Sequence, residues 1–263
     1  MYNNGMGFRN RGFSKGRLII GLVLALFAII SYYTSSETNP ITGEVQRISI
    51  SPDQEIALGL QAVPEMQRQY GGLTSDDERQ QRVNRIGTTL IQRSVANKTD
   101  WKYDFHVLAD SETVNAFALP GGQVFITQGL LDKLKTDDHV AGVLAHEMTH
   151  VIARHGAQKL AKMQLAQGLS GAAVIASGDY SSGQLVQMVG QMVGMKYGRE
   201  DELESDNLGV RIMHEAGFDP HAMIEVMKIL EASSGGGRQL EFFSTHPNPE
   251  NRIQRIEEAI RQL

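Results

Sequence analysis

Residues 144–156 read LAHEMTHVIARHG, and two of the histidines stand four positions apart. On a helix with about 100° per residue, His146 and His150 lie within about 40° of each other and one turn apart, so both rings can reach one ion. Glu147 lies between them and the apolar face, where its carboxylate can hold a water molecule. This H-E-x-x-H pattern on a helix is typical of zinc sites with two histidine ligands and a general base.

The surrounding sequence predicts a capped amphipathic helix rather than a helix that carries surface histidines by chance. Thr136 is suited to the N-cap, and Gly156 is predicted to end the helix. Val140 and Leu144 line an apolar face beside the histidines. The motif is therefore expected to lie on a helix that packs into the core.

A catalytic zinc site has three protein ligands and one open position, so another ligand must come from elsewhere in the chain. The chain has no cysteine, which leaves histidine, aspartate and glutamate. His155 is excluded because it follows His146 by nine residues and falls on the opposite side of the helix.

The acidic stretch EDELESDNLG, residues 200–209, supplies the candidates for this ligand. Glu202 and Asp206 are one turn apart on one face: Glu202 can bind zinc, and Asp206 can hydrogen-bond a ligand histidine. Glu200 and Glu204 are alternatives to Glu202. An acidic helix face that is only solvated is the interpretation without a metal.

The hydrophobic period before the motif changes to that of strands. YDFHVLAD (103–110) predicts one strand, and VNAFALPGGQVFITQGLL (114–131) predicts a strand, a turn and a second strand. The second of these strands begins with four residues expected to bind substrate: Gly122, Gln123, Val124 and Phe125. An extended peptide can add to an open strand edge there, whereas a plain hairpin within the sheet is the alternative.

Other helices are predicted from their ends and composition. Ser51 is suited to an N-cap, with Pro52 at the first helical position and Gln54 completing a capping box. Residues 157–197 are rich in Gly, Ala, Met and Gln and are predicted to be helical with breaks around residues 178–183. Their methionines have the spacing of a core stripe, with a lid over the cleft as the alternative: Met188, Met192 and Met195.

The N-terminal part has the pattern of an exported, membrane-anchored protein. Residues 1–17 form a basic tail, and residues 18–33 form an uncharged run that ends in two tyrosines. A helix of this length nearly crosses a ~30 Å hydrocarbon layer, and the basic flank predicts a cytoplasmic N-terminus. A cleaved signal peptide is the alternative, and both interpretations export the residues that follow.

The remainder of the chain is acidic. Four basic residues precede the apolar run; removing them from the 25 in the chain leaves 21 against 30 acidic residues, a formal charge of −9. A domain of this charge has no general attraction for nucleic acid. Of the 263 residues 41% are hydrophobic, which is sufficient for a core.

Several motifs together resemble the zinc metallopeptidases related to the type-1 CAAX prenyl protease, HtpX and Oma. They are H-E-x-x-H, the later E-x-x-x-D, NAFALPGG before the motif, STHP after it and the lead-in NPITGEVQRISISPDQEIALG. The resemblance covers the chain from about residue 40 onward and is closest to small exported bacterial members with one catalytic domain. Residues 34–50, which are polar and turn-rich, are expected to be a spacer, and the resemblance implies a zinc metallopeptidase domain at residues 51–263.

The resemblance also implies the fold and the metal site. The fold is expected to be α+β and mainly helical, of gluzincin type, with a small mixed β-sheet beside the active-site helix. His146, His150 and Glu202 match the ligands of one Zn²⁺ per chain. Glu147 matches the catalytic acid/base, and Asp206 matches the acid that closes E-x-x-x-D.

Two further residues match a pair near the metal. These are His246 in STHP and Arg252, six residues later. His246 either stabilises the oxyanion or acts as a fourth ligand that plugs the site until substrate arrives. Arg252 alternatively pairs with acids on its own helix.

The sequence thus predicts a zinc endopeptidase with a single pass through the bacterial inner membrane, by residues 18–33, and a catalytic domain in the periplasm. From the resemblance alone, its substrates are misfolded or stalled envelope proteins. The alternative is a zinc-stabilised, self-plugged chaperone or assembly factor with little proteolysis. Glu147 favours the enzyme, because a binding protein needs no base there. An interaction module without a metal would require every motif to be accidental.

Overall fold

The computed structural model describes residues 15–177, 195–234, 240–248 and 251–263. The helices in these ranges are α1 (Lys15–Thr34), α2 (Pro52–Gln69), α3 (Asp77–Arg93), α4 (Gln128–Leu131), α5 (Asp137–Ile152), α6 (His155–Ser177), α7 (Arg199–Ala216), α8 (Ala222–Ser233), α9 (Glu241–Thr245) and α10 (Arg252–Arg261), with a 3-10 helix at Val95–Lys98. The strands are β1 (Ser36–Thr38), β2 (Val45–Arg47), β3 (Asp104–Leu108), β4 (Ala116–Ala118) and β5 (Gln123–Thr127). The mainly helical α+β fold is confirmed. The predicted break at residues 178–183 and two of the predicted methionines, Met188 and Met192, lie outside the described residues.

The sheet beside α5 is three-stranded and mixed, in the order β3-β5-β4. β5 pairs parallel with β3 and antiparallel with β4, so its backbone is hydrogen-bonded on both sides. The expectation of an open edge at Gly122, Gln123, Val124 and Phe125 is therefore wrong. The alternation of apolar and polar residues identifies a strand but not the strands that pair with it. Here β5 pairs with β3, which lies earlier in the chain. The edge that borders α5 belongs to β4.

The turn between β4 and β5 fits closely against its surroundings. Gly121 and Gly122 have φ of 83° and 115°, which favour glycine. A Cβ at Gly121 would collide with the backbone of Ile56 in α2, and one at Gly122 would lie 2.8 Å from the carbonyl carbon of Lys102. The turn thus fixes α2 against the sheet.

Helix α5 is the central helix of the domain, and every residue from His139 to Ile152 is buried. Its N-terminus is as predicted, because the Thr136 side chain accepts a hydrogen bond from the backbone of His139. The helix does not continue to Gly156; it ends at Ile152, and α6 begins at His155.

Arg154, between these two helices, has a positive φ of 52° although it is not glycine. Its guanidinium donates to Glu55 over 2.6 Å, contacts Glu37 and donates to the carbonyl of Ile50 over 3.0 Å. These long-range contacts offset the cost of the left-handed backbone. A sequence rule that relies on glycine as the helix terminator does not detect them.

Residues 34–50 are a folded part of the molecule rather than the expected polar spacer. β1 and β2 pair antiparallel. Asn39 and Gln46 are buried, and their side-chain amides donate to the carbonyls of Ile152 and Ala153. Ile152 is the last residue of α5 and Ala153 is its C-cap, and carbonyls at a helix C-terminus have no partner within the helix. The hairpin therefore caps the helix that carries the motif.

α1 is the one helix in the described part of the chain that is long and apolar enough to cross a membrane. It is exposed along most of its surface: among its residues, only Gly21 is buried. Its principal neighbour is α6, which follows directly from the α5 corner.

Candidate metal centre and active site

Four buried side chains from α5, α7 and the end of α9 meet at one point. They are His146, His150, Glu202 and His246, whose ligand atoms all lie within 4.8 Å of one another. α5 presents the two histidines on one face, as their four-residue spacing requires. α7 crosses α5 and brings the carboxylate, and α9 places the third imidazole at its C-terminus.

The separations within this cluster fit a zinc ion. His146 Nε2 lies 3.2 Å from His150 Nε2 and 3.5 Å from Glu202 Oε2, and His150 Nε2 lies 3.5 Å from Glu202 Oε1. His246 Nδ1 lies 3.4 Å from His146 Nε2 and 3.0 Å from Glu202 Oε1. Ligand atoms about 2.0–2.1 Å from a tetrahedral zinc are about 3.3 Å apart. Both the donor types and their spacing therefore suit Zn²⁺.

Glu147 lies beside the cluster and is fully buried. Neither of its carboxylate oxygens has a hydrogen-bond partner in the described part of the chain, and His246 Nε2 lies 3.6 Å from Oε1. A buried carboxylate without donors is costly unless a cation or water compensates its charge. Its position therefore supports a metal centre next to it.

A buried ion pair orients the first histidine. Asp206 accepts a hydrogen bond from Nδ1 of His146 over 3.0 Å, which directs Nε2 of that ring into the cluster. Arg252 donates to both oxygens of Asp206, over 2.6 and 2.9 Å, and its Nη1 lies 3.1 Å from Glu202. The alternative for Arg252, pairing with acids on its own helix, is not what the structure shows.

The charges in this cluster shift the pKa values of three of its members. Burial lowers the pKa of His146, but contacts with Asp206 and Glu202 outweigh burial and raise it to about 9. Burial raises the pKa of Glu202, yet His246 and the other two histidines hold that pKa well below its usual range. Burial keeps the pKa of His150 well below its usual value. The carboxylates of Glu202 and Asp206 thus favour a positive charge at His146.

The second histidine of the motif is held by groups that the sequence analysis did not assign to the site. His150 Nδ1 lies 2.8 Å from His155 and 3.3 Å from the hydroxyl of Ser205. The ring of Tyr197 stacks on His150 at 3.7 Å between centroids. His155 also contacts Glu204, at 3.0 Å, so Glu204 is directed away from the cluster. Helical spacing correctly excludes His155 from the cluster, but it gives no sign that His155 supports it.

A narrow cleft leads from the β4 edge to the cluster. It is lined by Phe117, Ala118 and Leu119 on one side and by Lys159, Tyr197 and His246 on the other. Lys159 is buried, its Nζ lies 3.1 Å from the centre of the Tyr197 ring, and burial lowers its pKa to about 7. No sequence motif marks Tyr197 or Lys159, because both reach the cleft through tertiary packing.

An H-E-x-x-H helix, a carboxylate on a second helix and a mixed sheet edge beside them define a zinc metallopeptidase. Residues 77–260 match the model of peptidase family M48. The chain belongs to this family, and it is a zinc metalloendopeptidase. The resemblance to the Oma and HtpX type is confirmed.

Curated relatives support the same assignment. The chain is 35% identical over 234 residues to mitochondrial metalloendopeptidase OMA1 of Schizosaccharomyces pombe, which covers 87% of this chain and 68% of the relative. It is 28% identical over 247 residues to the beta-barrel assembly-enhancing protease of Escherichia coli, covering 90% of this chain and 49% of the relative. It is 25% identical over 266 residues to human OMA1, covering 95% and 51%. The chain thus spans about half the length of the bacterial and human relatives.

Proposed function

We propose that His146, His150 and Glu202 hold the catalytic zinc of this endopeptidase and that Glu147 is its general acid/base. The observation that carries the proposal is the buried cluster, in which the carboxylate of Glu147, with no hydrogen-bond partner among the described residues, stands beside four ligand atoms at tetrahedral spacing. Asp206 positions the first histidine, and Arg252 neutralises the carboxylates behind it.

In the proposed reaction, bound zinc supplies a Lewis acid that polarises the scissile carbonyl and lowers the pKa of the attacking water. Glu147 takes the proton of that water as the water attacks the peptide carbonyl, and then gives the proton to the leaving amine. The buried position of Glu147 excludes competing solvent and keeps its carboxylate close to the reacting water.

His246 is proposed to be the fourth group on the metal in the resting chain. Its Nδ1 lies at ligand spacing from His146 and Glu202, while its Nε2 faces Glu147. Hydrolysis then requires that His246 move away, because a catalytic zinc needs an open position. The moved ring remains near the reacting carbonyl, where it can stabilise the oxyanion.

The substrate is proposed to bind along β4 rather than at the residues expected from the sequence. Ala116–Ala118 forms the sheet edge that borders the cleft, and its far side is not paired in the described chain. An extended peptide added to this edge would bring one carbonyl toward the cluster.

The proposed setting is a bacterial inner membrane, with residues 18–33 as a single span and the catalytic domain in the periplasm. The apolar helix α1 and its basic N-terminal flank support the span. The proposed substrates are unfolded or misfolded envelope proteins. Support comes from a relative named for enhancing β-barrel assembly.

Cleavage of casein by the full-length protein in mild detergent tests this function. We expect cleavage that is abolished by a chelator and restored by zinc. Folded, zinc-loaded protein that leaves casein intact would contradict the endopeptidase proposal. It would favour the second candidate, a self-plugged chaperone, which rests on the closed position of His246.

The replacement His246→Ala distinguishes the plugging role of His246 from its oxyanion role and also tests the chaperone alternative. A plugging role predicts that the variant cleaves casein faster than the wild type at equal zinc content. An essential oxyanion role predicts slower cleavage. A zinc-loaded variant that still does not cleave would leave the chaperone as the better account.

A further inference from the structure

The two long helices α1 and α6 pack against each other. Within this contact, a Cβ at Gly168 would lie 2.9 Å from the Cβ of Ala28. Nearer the domain, Ser49 donates to Gln164 in α6 over 2.6 Å. α1 enters the domain at its C-terminus and α6 leaves it at its N-terminus, so the helices run antiparallel.

This antiparallel contact determines which residues of α6 lie level with which residues of α1. Gly168 is level with Ala28, and both helices rise about 1.5 Å per residue. Ser177 lies nine residues beyond Gly168, so it is level with about residue 19 of α1. The last part of α6 therefore runs for about 13 Å beside the most apolar part of α1.

The composition of α6 changes at the corresponding level. Lys159 and Lys162 lie in its first two turns, and no charged residue occurs between Lys162 and Asp179. By the same register, Lys162 is level with Thr34, the last residue of α1. The charged half of α6 thus lies beside the domain, and the uncharged half lies beside the apolar run.

Two tyrosines and two basic side chains lie at the boundary between the charged and uncharged halves of α6. Tyr32 and Tyr33 lie in the last turn of α1, and the guanidinium of Arg47 lies 5.6 and 4.9 Å from their ring centres. Tyrosine and arginine are enriched at the headgroup level of membranes, where long basic side chains reach the lipid phosphates. Lys162 is exposed at the same level.

We propose that residues 165–177 of α6 are buried in the lipid bilayer beside α1, so that the membrane contact of this protein is a pair of helices. α6 alone is not apolar enough to be recognised as a span; α1 covers one of its faces and lipid covers another. The proposal rests on the proposed span of α1. One consequence is that His155, which contacts the metal-site residue His150, lies only about 10 Å along α6 from Lys162 and so from the headgroups.

Spin labels on single introduced cysteines test this contact in the full-length chain, which has no cysteine of its own. The positions are Leu169→Cys in α6, Phe27→Cys in α1 and Leu60→Cys in α2 as the matched control; these side chains are 38%, 70% and 51% exposed. Each variant is labelled, reconstituted into phosphatidylcholine–phosphatidylglycerol vesicles and checked for casein cleavage. Collision of the label with oxygen, which concentrates in lipid, is compared with collision with a water-soluble nickel complex.

We expect the labels at Leu169 and Phe27 to collide mainly with oxygen and the label at Leu60 to collide mainly with nickel. Nickel collisions at Leu169, with oxygen collisions at Phe27, would overturn the embedded α6 and leave the anchor intact. Low collision rates with both reagents at Leu169 would place it against protein and would also overturn the proposal. Nickel collisions at Phe27 would instead refute the anchor on which the proposal rests.

Discussion

Replacing Arg252 by methionine tests whether charge holds the centre of the site together. Arg252 is 3% exposed, binds both oxygens of Asp206 and lies 3.1 Å from Glu202. Methionine fills much of the same volume but leaves two buried carboxylates without their cation. Removing one partner of a buried ion pair costs about 3–5 kcal/mol, and we expect a loss of that size in the free energy of unfolding.

Urea denaturation of the full-length protein in mild detergent measures this loss. A chelator is present, so that a metal ion does not neutralise the carboxylates. The matched control is Arg255→Met, on the same helix, where the exposed pair with Glu258 at 3.4 Å predicts a loss of about 0.5 kcal/mol or less. Equal losses below about 1 kcal/mol in both variants would refute the reasoning, because the buried pair would then behave like an exposed one.

Three further predictions follow from the same geometry. The replacement Asp206→Asn weakens the hydrogen bond that orients the zinc ligand His146. We therefore expect zinc affinity, measured by chelator competition, to fall about 10–100-fold. Unchanged affinity would contradict this role of Asp206. Burial holds the pKa of Lys159 at about 7, below the unfolded value of 10.5, so the unfolded state binds one more proton between these values. The free energy of unfolding then rises with pH across that window, by up to about 1.4 kcal/mol per pH unit. The variant Lys159→Met should lack this rise when urea denaturation is measured at several pH values. Identical pH profiles for the variant and the wild type would argue against a lowered pKa of Lys159. The methyl group of Gly121→Ala would meet the backbone of α2, whereas that of the control Gly43→Ala, at a similar φ, would meet open space. Thermal denaturation should show Gly121→Ala to be less stable than Gly43→Ala by about 1–3 kcal/mol. Equal stability of the two variants would count against the close packing of the β4–β5 turn on α2.

The features predicted from sequence are those set by local geometry. Two histidines four residues apart must share a helix face, which is why α5 presents them together. The capping box of Ser51 and Gln54 is present at the start of α2, because its hydrogen bonds need only neighbouring residues. The E-x-x-x-D spacing likewise places Glu202 and Asp206 on one face of α7, within reach of the first histidine.

The features that the sequence did not predict depend on long-range contacts. β5 became a central strand because β3, which precedes the hairpin in the chain, pairs with it. The end of α5 is set by the contacts of Arg154 and by the β1–β2 hairpin rather than by Gly156. Tyr197 supports His150 from a position 47 residues later, without any motif of its own.

The most direct test of the proposed site compares the wild type with Glu147→Gln, measuring zinc content and casein cleavage on the same samples. The account predicts about one zinc per chain in both proteins, because Glu147 is not a ligand. It also predicts that cleavage by the variant falls about 10²–10⁴-fold, the contribution typical of a general acid/base. Cleavage by Glu147→Gln at the wild-type rate, or a folded wild-type chain that binds no zinc, would contradict it.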